Sequence, residues 1–262
     1  MIRRILLGTT LAALAGCGEP PLGDDAVVAQ ALGGIQPSLE AQNALLVAMD
    51  DCPSCANLQE LGNYLGATLG SCARVEAVSK AESACTKIAG RSAARVSLNG
   101  CDFELGRPVS GTLVVTQADG SVMRYFETDL STGDHGVVSC GEVSGAGGGH
   151  SLAFDAVAHG PTGGDVLLFW SGPTSADAQG TFVRSGSVNL QFTGGDGVGY
   201  IVEAEASQLK RAAGQSLPHA GSIAFQGLEG MAKIEFGAES PTTGGIRLTR
   251  SNGVVETVVV AR

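Results

Sequence analysis

The stretch Ser187-Val188-Asn189-Leu190-Gln191-Phe192-Thr193 alternates polar and apolar side chains without interruption. Successive side chains of a strand point to opposite faces of a sheet, so the three apolar residues are predicted to face a core. The same period of two recurs at 231–236 and 246–249, with Lys233 and Glu235 directed outward. One covered face and one solvated face are typical of antiparallel sheets. The sequence therefore predicts a mainly β, antiparallel fold.

Residues 166–170 differ from this pattern, because Val166, Leu167, Leu168, Phe169 and Trp170 are apolar at both parities. A strand that is apolar on both faces is typical of the centre of a sheet that is covered from both sides. We therefore expect a fully covered central strand here.

Turn signals divide the second part of the chain into short strands. The pattern Pro-x-x-Gly-x-apolar starts at Pro108, Pro161, Pro218 and Pro241. In it, Pro fixes φ, Gly permits positive φ, and the apolar residue two positions later is expected to point inward. With the hairpin signals Asp119-Gly120 and Asn252-Gly253, these turns predict about a dozen strands over residues 95–262, forming a sandwich or a closed barrel. Residues 204–213 interrupt the alternation and predict a short helix.

The preceding region, residues 37–94, has apolar residues at helical spacing and predicts three short helices. Pro37-Ser38 is the expected start of the first helix, and residues 75–88 form the third. Four cysteines in this region indicate a small helical unit pinned by disulfides. A helical hairpin would allow Cys55 to pair with Cys72 and Cys52 with Cys85. Residues 17–36 are predicted to form a tether, in which residues 24–32 could fold into one or two helical turns.

The first seventeen residues combine a cationic start, an apolar run from 5 to 14 and the closing tetrapeptide Leu14-Ala15-Gly16-Cys17. This order is typical of a secretory signal. The tetrapeptide resembles the lipobox of bacterial lipoproteins at every position. The resemblance implies cleavage after a signal peptide of residues 1–16, acylation of Cys17 and, because Gly18 is not Asp, placement at the outer membrane on either leaflet. The alternative is an ordinary cleaved signal followed by an incidental Cys.

The charge balance limits the partners of the chain. Removal of residues 1–16 would leave 14 basic and 26 acidic residues, a net charge of −12. Such a chain is repelled by phosphate backbones, so nucleic acid is not an expected partner. Anionic head groups would repel it as well, and the acyl chains are the expected membrane attachment.

Six cysteines remain besides Cys17, and an even number in an exported chain predicts disulfides. Cys101 and Cys140 both lie in β-patterned sequence and are expected to pair with each other. Cys52-Pro53-Ser54-Cys55 supports an alternative, since the Cys-x-x-Cys spacing is also that of thiol-disulfide oxidoreductases. Four further cysteines and the missing βαβ context favour structural disulfides for this pair.

Other chemistry-bearing residues do not form a recognisable catalytic set. The histidines His135, His150, His159 and His219 lack metal-ligand spacing and are expected at the surface, so no metal, cofactor or catalytic residue is predicted. Six aromatic residues could fill a core or line a cavity for an apolar ligand: Phe154, Phe169, Trp170, Phe182, Phe192 and Tyr200. The sequence thus predicts an outer-membrane lipoprotein with a non-catalytic structural or binding β domain, for which an envelope protein or an apolar ligand is the expected partner. The alternatives are an oxidoreductase that uses Cys52 and Cys55, and a β-barrel carrier of an apolar ligand.

Overall fold

A computed structural model describes most of the chain, namely residues 25–42, 60, 63, 67, 70–101, 108–117, 123–132, 135–145, 149–159, 164–176, 181–193, 197, 199–212, 215, 217–227 and 230–260. Helix α1 spans Asp25–Glu40, a 3-10 turn spans Gly70–Cys72, and a short helix spans Ser240–Thr243. The strands are β1 (Ala73–Val78), β2 (Ala93–Cys101), β3 (Val109–Gln117), β4 (Arg124–Thr132), β5 (His135–Gly145), β6 (Gly149–His159), β7 (Asp165–Ala176), β8 (Phe182–Thr193), β9 (Gly199–Arg211), β10 (Ala220–Gly227), β11 (Gly230–Phe236), β12 (Gly245–Arg250) and β13 (Val255–Val259).

All thirteen strands belong to one antiparallel sheet, in which every strand pairs with its neighbours in sequence. This meander confirms the predicted mainly β, antiparallel fold. Its order requires only hairpin connections, which agrees with the turn signals that punctuate the sequence. The predicted alternation of strand β8 is confirmed, since Val188, Leu190 and Phe192 are buried and the residues between them are exposed.

One face of the sheet, called here the inner face, carries the hydrophobic core. Buried side chains from β2 to β13 form a single cluster together with α1, in which Trp170 and Tyr200 are the largest fully buried side chains. The opposite face is called the outer face.

Helix α1 packs on the inner face against β5, β6 and β7. Its apolar side chains Val27, Val28, Ala31, Leu32, Ile35 and Leu39 are all buried. Gly34 allows a close approach to β7, because a Cβ at this position would lie 2.3 Å from Cγ1 of Val166. The two ends of the helix region are also fixed: Asp25 is 2.8 Å from Arg250, and Nε2 of Gln42 donates to Oγ of Ser139 at 2.9 Å.

The recurrent Pro-x-x-Gly pattern has the predicted positive φ at three of its four glycines. Gly111, Gly221 and Gly244 have φ values of 130°, 100° and 74°. The apolar residues two positions after the four pattern glycines are all buried: Leu113, Val166, Ile223 and Ile246. Gly111 and Gly221 lie inside β3 and β10 rather than in turns, whereas Gly244 ends the short helix before β12. The pattern therefore marks an inward residue of each strand but does not always form a turn. Gly253, in the predicted hairpin turn between β12 and β13, also has positive φ, at 80°.

The helical predictions need correction. Residues 75–88 do not form a helix: β1 occupies 73–78 and pairs with β2, so the sheet extends across the boundary predicted at residue 94. Helix α1 begins at Asp25, so residues 25–32 are helical as predicted, but the helix continues to Glu40 and Pro37 lies inside its last turn rather than at a helix start. The Ala-rich composition of 75–88 favours helix only weakly, and pairing with β2 overrides it. The remaining predicted helices fall largely outside the described residues.

The predicted short helix at 204–213 is also wrong. Strand β9 continues to Arg211, and a register shift against β8 lies between Arg184 and Gly186. Gln208 on β9 has a φ of 50°. The interruption of the alternation therefore corresponds to an irregularity within a long strand pair, as bulges produce. Among the described residues, no helix has the length and hydropathy needed to cross a membrane.

Candidate functional site

The predicted disulfide pairing is wrong. Cys72 is bonded to Cys101 and Cys85 to Cys140, which excludes the expected Cys101–Cys140 bond and the nested pairs that used Cys72 and Cys85. The first bond follows from the β1–β2 hairpin, since Ala73 pairs with Leu98 and the two cysteines lie just beyond this pair. Cys17, Cys52 and Cys55 lie outside the described residues, so acylation and redox chemistry at these positions remain predictions.

The second disulfide fixes a segment on the outer face. Residues 79–92, which connect β1 to β2 and are called the strap here, lie over β3, β4 and β5. Ala81, Cys85 and Ile88 of the strap form a small separate core with Ala93 and Val114, against which Tyr125 and Cys140 pack. Because of this cover, Val114 is only 5% exposed although it lies on the outer face.

Polar contacts reinforce the strap. Oγ of Ser83 donates to Oε2 of Glu127 at 2.6 Å, and Nζ of Lys87 lies 2.6 Å from Oε2 of Glu142. The guanidinium of Arg91 lies 5.3 Å from the centre of the Tyr125 ring, within the range of a cation–π contact. The strap is therefore part of the folded body, with both an apolar underside and charged contacts at its rim.

Next to the strap, the outer face of β5–β9 forms a groove of about 510 Å³. Residues 84–86 of the strap make one wall. The lining residues from the outer face include Val138, Asp155, Val157, Leu167, Phe169, Asn189, Gln191 and Ile201. The alternation of the strands brings these side chains together, since each occupies a position between two buried inner-face residues.

The groove floor is unusually apolar for an uncovered face. Ile201 is 67% exposed, Leu167 43% and Phe169 39%. The prediction that 166–170 is covered on both faces is therefore wrong. Val166, Leu168 and Trp170 are buried on the inner face, whereas Leu167 and Phe169 point into the groove. Leu167 and Phe169 are neighbours on β7, and Ile201 lies two strands away with Gln191 of β8 between it and Leu167. Exposed apolar side chains grouped among polar neighbours are a feature of interaction surfaces.

Carboxylates flank this floor. Asp155 pairs with Phe169 across β6 and β7, and Glu203 pairs with Asn189 across β8 and β9. Both carboxylates are exposed, and neither forms an ion pair with another described residue. Glu127, at the strap side, accepts the hydrogen bond from Ser83. The groove thus combines apolar side chains with unneutralised negative charge.

The inner face was the predicted location of an alternative ligand cavity. Five of the six candidate aromatic residues are buried there: Phe154, Trp170, Phe182, Phe192 and Tyr200. The rings of Phe192 and Tyr200 stack with their centroids 5.2 Å apart. Phe169 alone of the six points to the outer groove. These rings and helix α1 contribute to the buried cluster on the inner face.

One end of the inner face carries basic residues that sequence reasoning did not single out. Arg124, His150, Arg184 and Arg211 are all at least nine-tenths buried, near the strand ends. Nε of Arg184 donates to Oγ1 of Thr174, and burial lowers the pKa of Arg124. The expectation that all four histidines lie at the surface is wrong for His150. These residues stand at alternating positions shared with the buried apolar residues of their strands. This alternation is the sequence signal that could have located them on the inner face.

The described residues contain no cluster of three or more His, Cys, Asp or Glu side chains that could hold a metal ion. The exposed pair His159 and Asp165, with Nδ1 and Oδ1 2.7 Å apart, joins the ends of β6 and β7. The chain has no significant match among protein-family models, curated proteins or solved structures.

Proposed function

We propose that this chain is a lipid-anchored, non-catalytic binding protein of the outer membrane, and that the groove on the outer face of β5–β9 receives a protein partner. The exposed apolar floor of this groove carries the proposal. An apolar surface exposed in water is costly, and burying it against a partner is favourable by about 25 cal/mol per Å². The lipobox resemblance supports anchoring through Cys17, with the folded body in the periplasm or at the cell surface.

We propose further that the sheet curls around α1 in the manner of a barrel. Thirteen strands spaced about 4.8 Å apart would make a flat sheet roughly 58 Å wide. A helix of 16 residues is only about 24 Å long and could not cover such a face. Curling lets the inner faces of distant strands cover one another, in keeping with the single continuous core.

This arrangement favours binding at the outer face over the carrier alternative. A carrier of an apolar ligand needs space on the inner face, where α1 and the large aromatic residues lie in the described structure. The oxidoreductase alternative depends on Cys52 and Cys55 and stays a prediction.

Anchoring is tested by Cys17→Ser. This variant should leave the membrane fraction, because the thioether that carries the diacylglycerol cannot form. Equal membrane association of the variant and the wild type would contradict the lipid anchor.

Partner binding is tested by photo-cross-linking in the cells that produce the protein. A photoreactive phenylalanine analogue at position 167 or 201 should give a discrete adduct of higher mass. The same analogue at position 231 is the matched control, since Met231 is 60% exposed on the outer face but lies outside the groove. Adducts of equal yield at all three positions, or none at 167 and 201, would overturn the proposed function.

A further inference from the structure

We infer that the partner segment received by the groove is a basic amphipathic α-helix. This inference rests on the proposed function and specifies its partner. It follows from three features of the groove: the pairing of its strands, the spacing of its apolar side chains and the sign of its charge.

The backbone of the groove is not available to a partner. Strands β5, β6, β7, β8 and β9 each pair with a strand on both sides. A peptide therefore cannot add to the sheet here by backbone hydrogen bonds and must bind through side chains. A helix is suited to this, because its own backbone hydrogen bonds are satisfied internally.

Four apolar side chains and one glutamine form a row that crosses the strands. Val138 pairs with Val157, Val157 with Leu167, Leu167 with Gln191, and Gln191 with Ile201. Five strands at about 4.8 Å spacing give this row a length of roughly 19 Å. A helix rising 1.5 Å per residue covers that length with about 13 residues. Its apolar stripe, repeating every 5.4 Å, approximates the spacing between strands.

A second row lies two residues along each strand, roughly 6.7 Å from the first. It carries Asp155, Phe169, Asn189 and Glu203 in consecutive pairs from β6 to β9. The partly exposed ring of Phe169 and the carboxylate of Asp155 beside it together favour an ammonium or guanidinium group. Among the strap cations, Lys87 is already paired with Glu142. A helix whose apolar stripe lies on the first row would therefore carry Lys or Arg on the side that faces the second.

The inference is tested with the full chain carrying Cys17→Ser and with synthetic helices as probes. The first probe is a 14-residue helix of leucine and lysine with the leucines on one face. A leucine–glutamate helix of the same pattern and a scrambled leucine–lysine peptide are the peptide controls. Fluorescence anisotropy measures binding at about 50 and about 300 mM salt, where screening should weaken a charge-assisted complex.

Two pairs of substitutions separate the apolar and the charged contributions. Asp155→Asn with Glu203→Gln should raise the Kd of the leucine–lysine helix by about tenfold at low salt, and Leu167→Ser with Ile201→Ser by more than tenfold. Met231→Ser and Glu76→Gln are the matched controls, since both residues are exposed outside the groove, and neither control should change the Kd.

Binding of the leucine–glutamate or scrambled peptide with equal affinity would overturn the inference, as would a leucine–lysine affinity that the groove variants leave unchanged. A dimer of the chain that Leu167→Ser with Ile201→Ser converts to monomer would also overturn it, because a second copy would then be the occupant. Cross-links at positions 167 and 201 without leucine–lysine binding would refute the basic helix and leave the proposed function standing. Absence of the cross-links would refute both.

Discussion

Two adjacent parts of the same outer face differ in whether the chain covers their apolar side chains. Over β3–β5, the strap covers the apolar outer surface and is bonded to it by Cys85–Cys140. Over β7–β9, the described chain leaves the apolar side chains of Leu167, Phe169 and Ile201 exposed. The covered part belongs to the folded core, since Ile88 and Val114 are buried.

The difference shows that the apolar composition of an outer face does not itself reveal its role. Where the chain supplies its own cover, the apolar residues contribute to stability. Where it does not, the apolar residues stay exposed to water at a cost in solubility, and the proposed binding of a partner would account for this exposure. Residues 84–86 of the strap form a wall of the groove, so one segment both completes the core on one side and borders the proposed binding surface on the other.

The largest expected contrast is between Ile88→Ala and Leu167→Ala. Ile88 is fully buried on the underside of the strap, and its truncation should lower the free energy of unfolding by about 2–5 kcal/mol. Leu167 lies on the exposed floor, and its truncation should change that free energy by no more than about 0.5 kcal/mol. Urea denaturation measures both values. Similar losses in the two variants would mean that the groove floor is part of the core.

The two disulfides should differ in whether their loss releases the strap. Replacing Cys85 and Cys140 by Ala should cost about 2–4 kcal/mol and release the strap. Hydrogen exchange should then accelerate at the amides of Ala81 and Gly90, whose hydrogen bonds close the strap. The control, Cys72→Ala with Cys101→Ala, should lower stability but leave these amides protected. Continued protection in the first variant would show that the strap holds its place without its disulfide.

A third part of the outer face, over β11 and β12, carries charged side chains in contact with solvent. A substitution here should have the smallest effect on the free energy of unfolding. The hydrogen bond from Lys233 and the charges of Lys233 and Arg247 lower the pKa of Glu235 below 4.5. A carboxyl with a lowered folded-state pKa stabilises the fold above its unfolded pKa, and this contribution disappears as the pH falls through the folded value. Because these groups are exposed, Glu235→Gln should remove at most about 0.5 kcal/mol at pH 7.

The pH dependence provides the check on this prediction. Below about pH 4, stability of the wild type should fall toward that of Glu235→Gln, and the two should converge. A difference that grows on acidification would contradict the assigned direction of the pKa shift.

Local patterns were sufficient to predict the sheet but not the long-range contacts. The alternation at 187–193 and the turn glycines act between near neighbours, so they predict the strands and their inward parities. The bond between Cys85 and Cys140 depends on where the strap lies in three dimensions, and no pattern near either cysteine specifies it. The helical composition of 75–88 is a weak preference that pairing between β1 and β2 overrides.

The sequence pattern of the groove residues on β7 predicts burial, whereas the structure shows exposure. The apolar Leu167 and Phe169 predict a second cover over β7, whereas the structure leaves both side chains exposed. Apolar residues on both faces do identify β7 as an unusual strand. The sequence alone does not say whether another part of the chain covers the outer of these two faces. Ile201, which completes the floor, is an isolated apolar residue at an outward position of β9 and gives no local signal.

Hydroxyl-radical footprinting of the native side chains measures most directly whether the exposed floor is a binding surface. Oxidation of Leu167, Phe169 and Ile201 is compared between the purified protein and the protein in intact membranes of the cells that produce it, with Met231 as the internal reference. We expect all three groove residues to be oxidised in the purified protein and to be protected several-fold in membranes, while Met231 reacts equally in both. Equal oxidation of the groove residues in the two preparations would contradict a partner bound at this face.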